Sequence, residues 1–221
     1  MEGTLEQIAT CVERGKINKA SPFPPDMKGQ DGADEITKAA LDAKTDPVII
    51  LEGCMKGMYR IGQKFSQNKV FVPDLLMAAK AMKAVMNHLR PFFQSGAVKA
   101  KGTFIIGTVA GDLHDIGKNL VSMTVEGAGW KVVDLGVDIP AEKFMNAVKE
   151  NPGSVLGLSA LLTTTMVNME KTVKEIKAQY PTTKIIVGGA PLTKEFADKI
   201  GADAYSADPQ GAAEFLNKLA A

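Results

Sequence analysis

From residue 103 onward the sequence alternates in a way that few folds accommodate. Apolar, β-rich runs at 103–109, 130–135, 154–159, 184–187 and, more weakly, 202–205 are separated by helix-length segments. Those segments span 116–127, 141–150, 165–180 and 192–200, and a last one spans 209–219. The runs are continuously apolar instead of alternating with polar residues, which marks strands covered on both faces. Strand–helix alternation of this kind implies an α/β domain, a doubly wound, flavodoxin-like (Rossmann-type) parallel sheet. Such sheets bind ligands beyond the carboxyl ends of their strands, where the strand order reverses.

Before residue 100 the pattern is helical. Residues 5–14 and 33–43 read as short helices, separated by SPFPPDMKGQDG, whose prolines and glycines forbid regular structure. Asp46-Pro47 supplies an N-cap and a proline at the first helical position of a third helix, which reaches about Phe65. Ile50, Cys54, Met58 and Ile61 repeat along it at helical spacing. A fourth helix begins at Pro73-Asp74, runs through Leu76, Ala79, Met82 and Met86, and is expected to stop before Pro91. The economical arrangement is a four-helix bundle over residues 1–95, joined through QSGAVKAK (94–101) to a sheet domain over residues 100–221. The methionines at helical spacing, Met55 among them, are expected to fill the core. His88, near the end of the fourth helix, suits that helix's dipole, and Trp130 is expected to pack at the start of its strand.

Composition removes several classes of function. A net charge of +1 in 221 residues offers no broad attraction to nucleic acid or to an anionic membrane. The two cysteines, Cys11 and Cys54, make no disulfide framework and no CxxC pair, which fits a reducing cytoplasm. The opening MEGTLEQIAT lacks a basic region followed by an apolar run, so a secretory leader is not expected. No apolar stretch approaches the roughly 18 residues that a bilayer crossing requires.

The first strand, FIIGTV, runs directly into AGDLHDIGKN, which stands at the carboxyl end of a strand and ahead of a helix. A phosphate-loop reading fails there. Gly111 and Gly117 are separated by five residues instead of four, and Asn119 stands where a magnesium-binding hydroxyl is needed. Asp112 and Asp115 would also face the phosphates with like charge. Metal chemistry is the alternative. One nitrogen of His114 can ligate a metal while the other donates to a carboxylate that fixes its tautomer, and Asp112 is within reach for that role. Two histidines and two distant cysteines cannot build a tetrahedral zinc site. A single protein ligand suits a metal already held by a macrocycle.

Asp112-x-His114-x-x-Gly117 resembles the DxHxxG motif of cobalamin-binding domains, here within GTVAGDLHDIGKN. Ser159-x-Leu161 after the third strand and Gly188-Gly189 after the fourth agree with it in order and spacing. GMYRIGQKF followed by FVPDLLMAAKAM is similar to the helical cap of methylcobalamin-carrying proteins. The resemblance covers roughly residues 46–221. It points to the cobalamin module of methionine synthase and to the corrinoid proteins of three-component anaerobic methyltransferase systems, and a free-standing chain of this length fits the latter.

The resemblance implies a cobalamin bound with its nucleotide tail displaced from cobalt and His114 in its place, with Asp112 behind the imidazole. Thr165 falls where relatives extend that link with a hydroxyl. Gly111, Leu113, Asp115 and Gly117 of the same string are implied contacts of the cofactor. Ser159, Leu161, Thr163, Gly188 and Gly189 would line the slot for the tail, and Phe65 and Val72 would cover the upper corrin face. Val72 stands where leucine is frequent, and the segment 17–32 is longer than the family's usual first turn.

The implied function is that of a methyl carrier, without catalysis of its own. Cobalt(I) takes a methyl group from a donor on a substrate methyltransferase, and the resulting methylcobalamin yields it to a pterin or thiol on a second methyltransferase. A reductive activase would rescue oxidised cobalt. Among donors, the nearest resemblance is to the corrinoid subunits of O-demethylases, while methylamine, methanol and betaine systems share every motif named. A cobalamin-dependent sensor or regulator is the alternative; it should carry a regulatory domain and often a tryptophan in the cap, whereas the only tryptophan here is Trp130.

Overall fold

A computed structural model describes residues 2–220. It divides into two compact units: one runs up to Ala100 and takes in Gly127–Gly129, and the other holds Lys101–Glu126 and the chain from Trp130 onward.

The first unit is helical: α1 (Glu2–Glu13), a 3-10 turn (Pro25–Met27), α2 (Ala33–Asp42), α3 (Pro47–Ser66) and α4 (Val72–Gln94). The third helix starts as its sequence demands, since the Asp46 carboxylate accepts the Val48 N–H at 2.9 Å ahead of Pro47. Ile8, Val12, Ile50, Cys54, Met58, Leu75, Val85 and Leu89 are buried in its interior. Two expectations for α4 need correction. It begins at Val72, one residue early, because Asp74 reaches back to accept the Phe71 N–H at 2.9 Å. Leu75, Ala79 and Met82 are buried, while Leu76 and Met86 are half-buried. The helix also runs through Pro91 to Gln94. Pro91 costs the helix one ladder hydrogen bond, and the end is closed by Ser95 N–H on the Pro91 carbonyl and Val98 N–H on that of Phe92.

The long segment between α1 and α2 is tied down from both ends. The ammonium of Lys16, fully buried, donates to the Ser21 carbonyl at 2.9 Å. The two oxygens of Glu35 accept the N–H groups of Lys19 and Gly32, each at 2.9 Å. In the same unit His88 Nε2 lies 2.7 Å from Asp34 Oδ1, joining α4 to α2.

The second unit is a five-stranded parallel sheet in the order β2-β1-β3-β4-β5: β1 (Thr103–Thr108), β2 (Lys131–Asp134), β3 (Val155–Ser159), β4 (Lys184–Gly188) and β5 (Ala204–Ser206). Its helices are α5 (Ile116–Gly127), α6 (Ala141–Glu150), α7 (Met166–Gln179) after a 3-10 turn at Thr163–Thr165, α8 (Lys194–Ile200) and α9 (Pro209–Leu219). This is the flavodoxin-like order. Ile105, Phe144, Leu156, Met169, Val173, Ile176 and Ile185 form a continuous core against the sheet. Trp130 is buried ahead of β2, its ring filling the space that a side chain on Gly102 would need.

The register positions the site. Thr108, Ser159, Gly188 and Ser206 lie in one row across the carboxyl edge of β1, β3, β4 and β5. The chain leaves β1 for β2 on one side and continues through β3 to β5 on the other. The loops after β1 and β3 therefore diverge, and the crevice between them is where ligands are received.

Candidate cofactor site

The loop after β1 carries Asp112 and His114, and the loop after β3 closes on it. Asp112 is fully buried. Its Oδ1 accepts His114 Nδ1 at 2.7 Å and the His114 backbone N–H at 3.1 Å. Its Oδ2 accepts the N–H groups of Leu161 at 2.7 Å and Leu162 at 3.1 Å, and the Thr165 hydroxyl at 2.8 Å. Burial alone would raise the pKa of this carboxyl. The Leu161 N–H, the ring and backbone of His114 and the Thr165 hydroxyl outweigh it, and hold the group well below the ordinary carboxylate range.

An ionised Asp112 only accepts hydrogen bonds, so Nδ1 of His114 must donate. In the neutral imidazole the lone pair then sits on Nε2, which has no hydrogen-bond partner among the described residues. The side chain is half exposed. One nitrogen is thus fixed, and the other is left for a ligand.

What surrounds it is apolar. Of the nine large hydrophobic side chains exposed among the described residues, five (Leu113, Ile116, Leu161, Leu162 and Val167) belong to the segments that carry His114 and clasp Asp112. That excess suits a broad, largely apolar ligand lying against the imidazole. Among the described residues no three His, Cys, Asp or Glu side chains converge to hold a metal ion. A metal here would have a single protein ligand and would bring its remaining ligands with it, as a corrin does for cobalt, so the residues fit a corrinoid.

The glycines divide into two kinds. Gly111 turns at φ +81°, and Gly189 sits at φ +137° with the Ala160 carbonyl oxygen 1.8 Å from where a Cβ would be. The fold itself requires both. A Cβ on Gly188 would come within 3.0 Å of the Ser206 carbonyl. Gly117 differs: it lies in the first turn of α5, and a Cβ there would meet nothing within 4 Å. Nothing in the chain demands a glycine at that place, where a helix disfavours one.

The other expected residues fall as follows. Ser159 ends β3, half-buried, and Thr163 opens the 3-10 turn that presents Thr165. Asp115, exposed, accepts from the Asn119 side chain at 3.0 Å at the start of α5. Phe65 and Val72 lie in the helical unit, half-buried on the two sides of the α3–α4 connection. Lys118, whose place in the string invited a phosphate reading, is buried, and its ammonium bonds Asp134 and, at 2.7 Å, Asn119.

Three further side chains grip the loop. Thr108 donates its hydroxyl to the His114 carbonyl at 2.8 Å, Asn168 donates to the Ala110 carbonyl at 2.7 Å, and Asp138 accepts the Gly111 N–H at 2.7 Å. Their partners lie between 6 and 58 residues away, and local spacing carries no sign of such pairings.

Comparisons with known proteins agree with this chemistry. Residues 102–214 match the B12 binding domain, and residues 30–90 match a second B12 binding domain model. The chain is 42% identical to trimethylamine corrinoid protein 1 of Methanosarcina mazei over 197 residues, covering 86% of this chain and 88% of that one. It is 36% identical to dimethylamine corrinoid protein 3 of Methanosarcina acetivorans, covering 93% and 92%. The methanol:cobalamin methyltransferase complex of Methanosarcina barkeri superposes with a TM-score of 0.81 at 27% identity, covering 99% of this chain and 80% of that one. No helix among the described residues is long and apolar enough to cross a membrane. The chain therefore belongs to the B12-binding corrinoid proteins, the family that serves methyltransferase systems.

Proposed function

We propose that this chain is a methyl carrier in which His114 ligates the cobalt of its corrinoid through Nε2. The observation that carries this reading is the hydrogen bonding of His114, whose Nδ1 is held by a buried, ionised Asp112 while its side chain stays half exposed. The corrinoid, when bound, supplies a cobalt centre that accepts a methyl group and gives it up. The protein's part is to hold that cofactor, fix the tautomer and basicity of its axial ligand, and keep water from one face. Gly117, Ser159, Leu161, Thr163, Gly188 and Gly189 are assigned to contact with the cofactor, together with Gly111, Leu113 and Asp115. Phe65 and Val72 are assigned to cover its opposite face.

Among the described residues no three His, Cys, Asp or Glu side chains converge to hold a metal ion, and activation of the methyl donor is assigned to a substrate methyltransferase. A second methyltransferase then delivers the group to a pterin or thiol, and a reductive activase restores oxidised cobalt. The names of the relatives favour a methylated amine as donor over an aryl ether. The protein is assigned to the cytoplasm together with these partners.

The test is paramagnetic resonance of the cobalt(II) protein prepared with unlabelled and with 15N-labelled histidine. The hyperfine pattern should change from that of 14N to that of 15N, and His114→Ala should abolish it while His88→Gln leaves it intact. A pattern indifferent to labelling would sink the assignment of His114.

A further inference from the structure

Asp138 lies in the connection between β2 and α6, far in sequence from the histidine loop, and has no part in the reading above. It is an exposed residue, yet its backbone sits at φ +55°. That left-handed conformation is costly for a residue with a side chain and is tolerated best by Gly, Asn and Asp. No core packing explains it. What the conformation achieves is a two-point grip on the loop after β1. The Asp138 N–H donates to the Asp112 carbonyl at 3.0 Å, and the Asp138 carboxylate accepts the Gly111 N–H at 2.7 Å. The neighbouring Ile139 N–H donates to the Thr108 carbonyl at 2.9 Å, which continues the parallel pairing of this connection with β1.

The loop bearing His114 is therefore held from both sides of the crevice. Leu161, Leu162 and Thr165 hold the Asp112 carboxylate from the β3 side. From the β2 side, Asp138 holds the Gly111–Asp112 backbone. Thr108 and Asn168 also hold this loop, through the His114 and Ala110 carbonyls, but neither takes the Gly111 N–H or the Asp112 carbonyl, and Asp138 takes both. We propose that Asp138 is a positioning residue for His114: its grip on Gly111 and Asp112 sets where the imidazole stands, through the backbone and without touching a cofactor. The functional consequence rests on His114 being the cobalt ligand; the positioning itself does not.

Three variants of the full chain separate the components. Asp138→Asn keeps an oxygen acceptor and tolerates positive φ. Asp138→Gly tolerates the same φ without strain and removes the acceptor alone. Asp138→Ala removes the acceptor and adds strain. With only two histidines in the chain, 15N-histidine labelling resolves the His114 ring by NMR, and His88 reports independently on whether the helical unit is intact.

In the cofactor-free protein, Asp138→Gly and Asp138→Ala should speed exchange of the Gly111 amide by about tenfold, the order expected for one lost charge-assisted hydrogen bond. They should also lower the share of the Nδ1–H tautomer of His114, while Asp138→Asn stays within about twofold of the parent on the first measure and matches it on the second. Corrinoid affinity should follow the same order, falling about tenfold in the glycine and alanine variants. Parental ring shifts and parental Gly111 exchange in Asp138→Gly would overturn the proposal. A His114→Ala protein that bound corrinoid as the parent does would instead overturn the ligand reading, leaving the ring shifts to decide on Asp138.

Discussion

His114 Nδ1 and Asp112 Oδ1 lie 2.7 Å apart, and the backbone N–H of the same histidine reaches the same oxygen at 3.1 Å. One carboxylate oxygen thus fixes both the ring and the main chain of a residue only two positions away. The other oxygen is committed to the β3 loop through Leu161, Leu162 and Thr165. Asp112 is a buried anion with five donors around it. That full satisfaction is what makes a buried charge tolerable here.

Asp112→Asn is the sharpest probe of this arrangement. The asparagine oxygen can still accept from Leu161 and Leu162, and its amide nitrogen then faces His114 Nδ1. Two donors cannot face one another, so the ring proton must move to Nε2, where it occupies the lone pair needed for a metal. Corrinoid affinity should fall by about 10- to 100-fold with little loss of secondary structure. The 15N shifts of the ring should report the Nε2–H tautomer directly. A variant with the parental tautomer and parental affinity would show that Asp112 only shapes the turn.

Thr165 contributes one of the five donors, and its hydroxyl is also 2.9 Å from the Leu162 carbonyl. Thr165→Val keeps the shape and removes the hydrogen bond, so stability should drop by about 1–2 kcal/mol, with a few-fold weaker corrinoid binding. Thr165→Ser should restore most of both. Denaturant midpoints and a binding titration distinguish these outcomes; equal behaviour of the valine and serine variants would remove the hydroxyl from the site.

The depressed pKa of Asp112 has a definite sign in the stability. The folded value lies below the unfolded one, about 3.9, so near that pH the unfolded chain binds more protons. The contribution of Asp112 is therefore fully present at neutral pH and still present at pH 5. It is lost as the pH falls below about 4 toward the folded value. The gap in urea midpoint between the parent and Asp112→Asn should be constant from pH 7 to about 5 and shrink below about 4. A gap that already closes between pH 7 and 5 would show that another group dominates.

The sequence and the structure part company where partners are distant. The bounds of α5, α6 and α9 follow from local signals, since prolines or the end of a glycine-bearing turn stand at their starts. Asp112 and His114 were legible for the same reason: two residues apart, they can meet without help from the rest of the chain. Pro91 misleads because the one hydrogen bond that a proline removes does not by itself end a helix whose remaining bonds hold. Thr165 could be placed only through resemblance, and Asp138 and Asn168 not at all. Their bonds to the His114 loop arise from the order β2-β1-β3, which brings together connections that the sequence keeps apart.

Gly117 and Gly189 make opposite demands, and substituting each with alanine separates what the fold needs from what the ligand needs. Gly189→Ala puts a methyl group 1.8 Å from the Ala160 carbonyl at φ +137°. Backbone of both loops must shift, so stability should fall by about 3 kcal/mol or more whether or not a cofactor is present. Gly117→Ala meets no atom within 4 Å and replaces a helical glycine. The cofactor-free protein should therefore gain about 0.5–1 kcal/mol. If the corrinoid packs directly on the first turn of α5, the added methyl must enter that interface. The same variant should then bind corrinoid at least about tenfold more weakly, overpacking costing about 1–3 kcal/mol. Thermal unfolding with and without corrinoid gives both quantities from one preparation. A Gly117→Ala protein both more stable and unimpaired in binding would mean that this glycine faces open solvent, and that the cofactor does not lie against the start of α5.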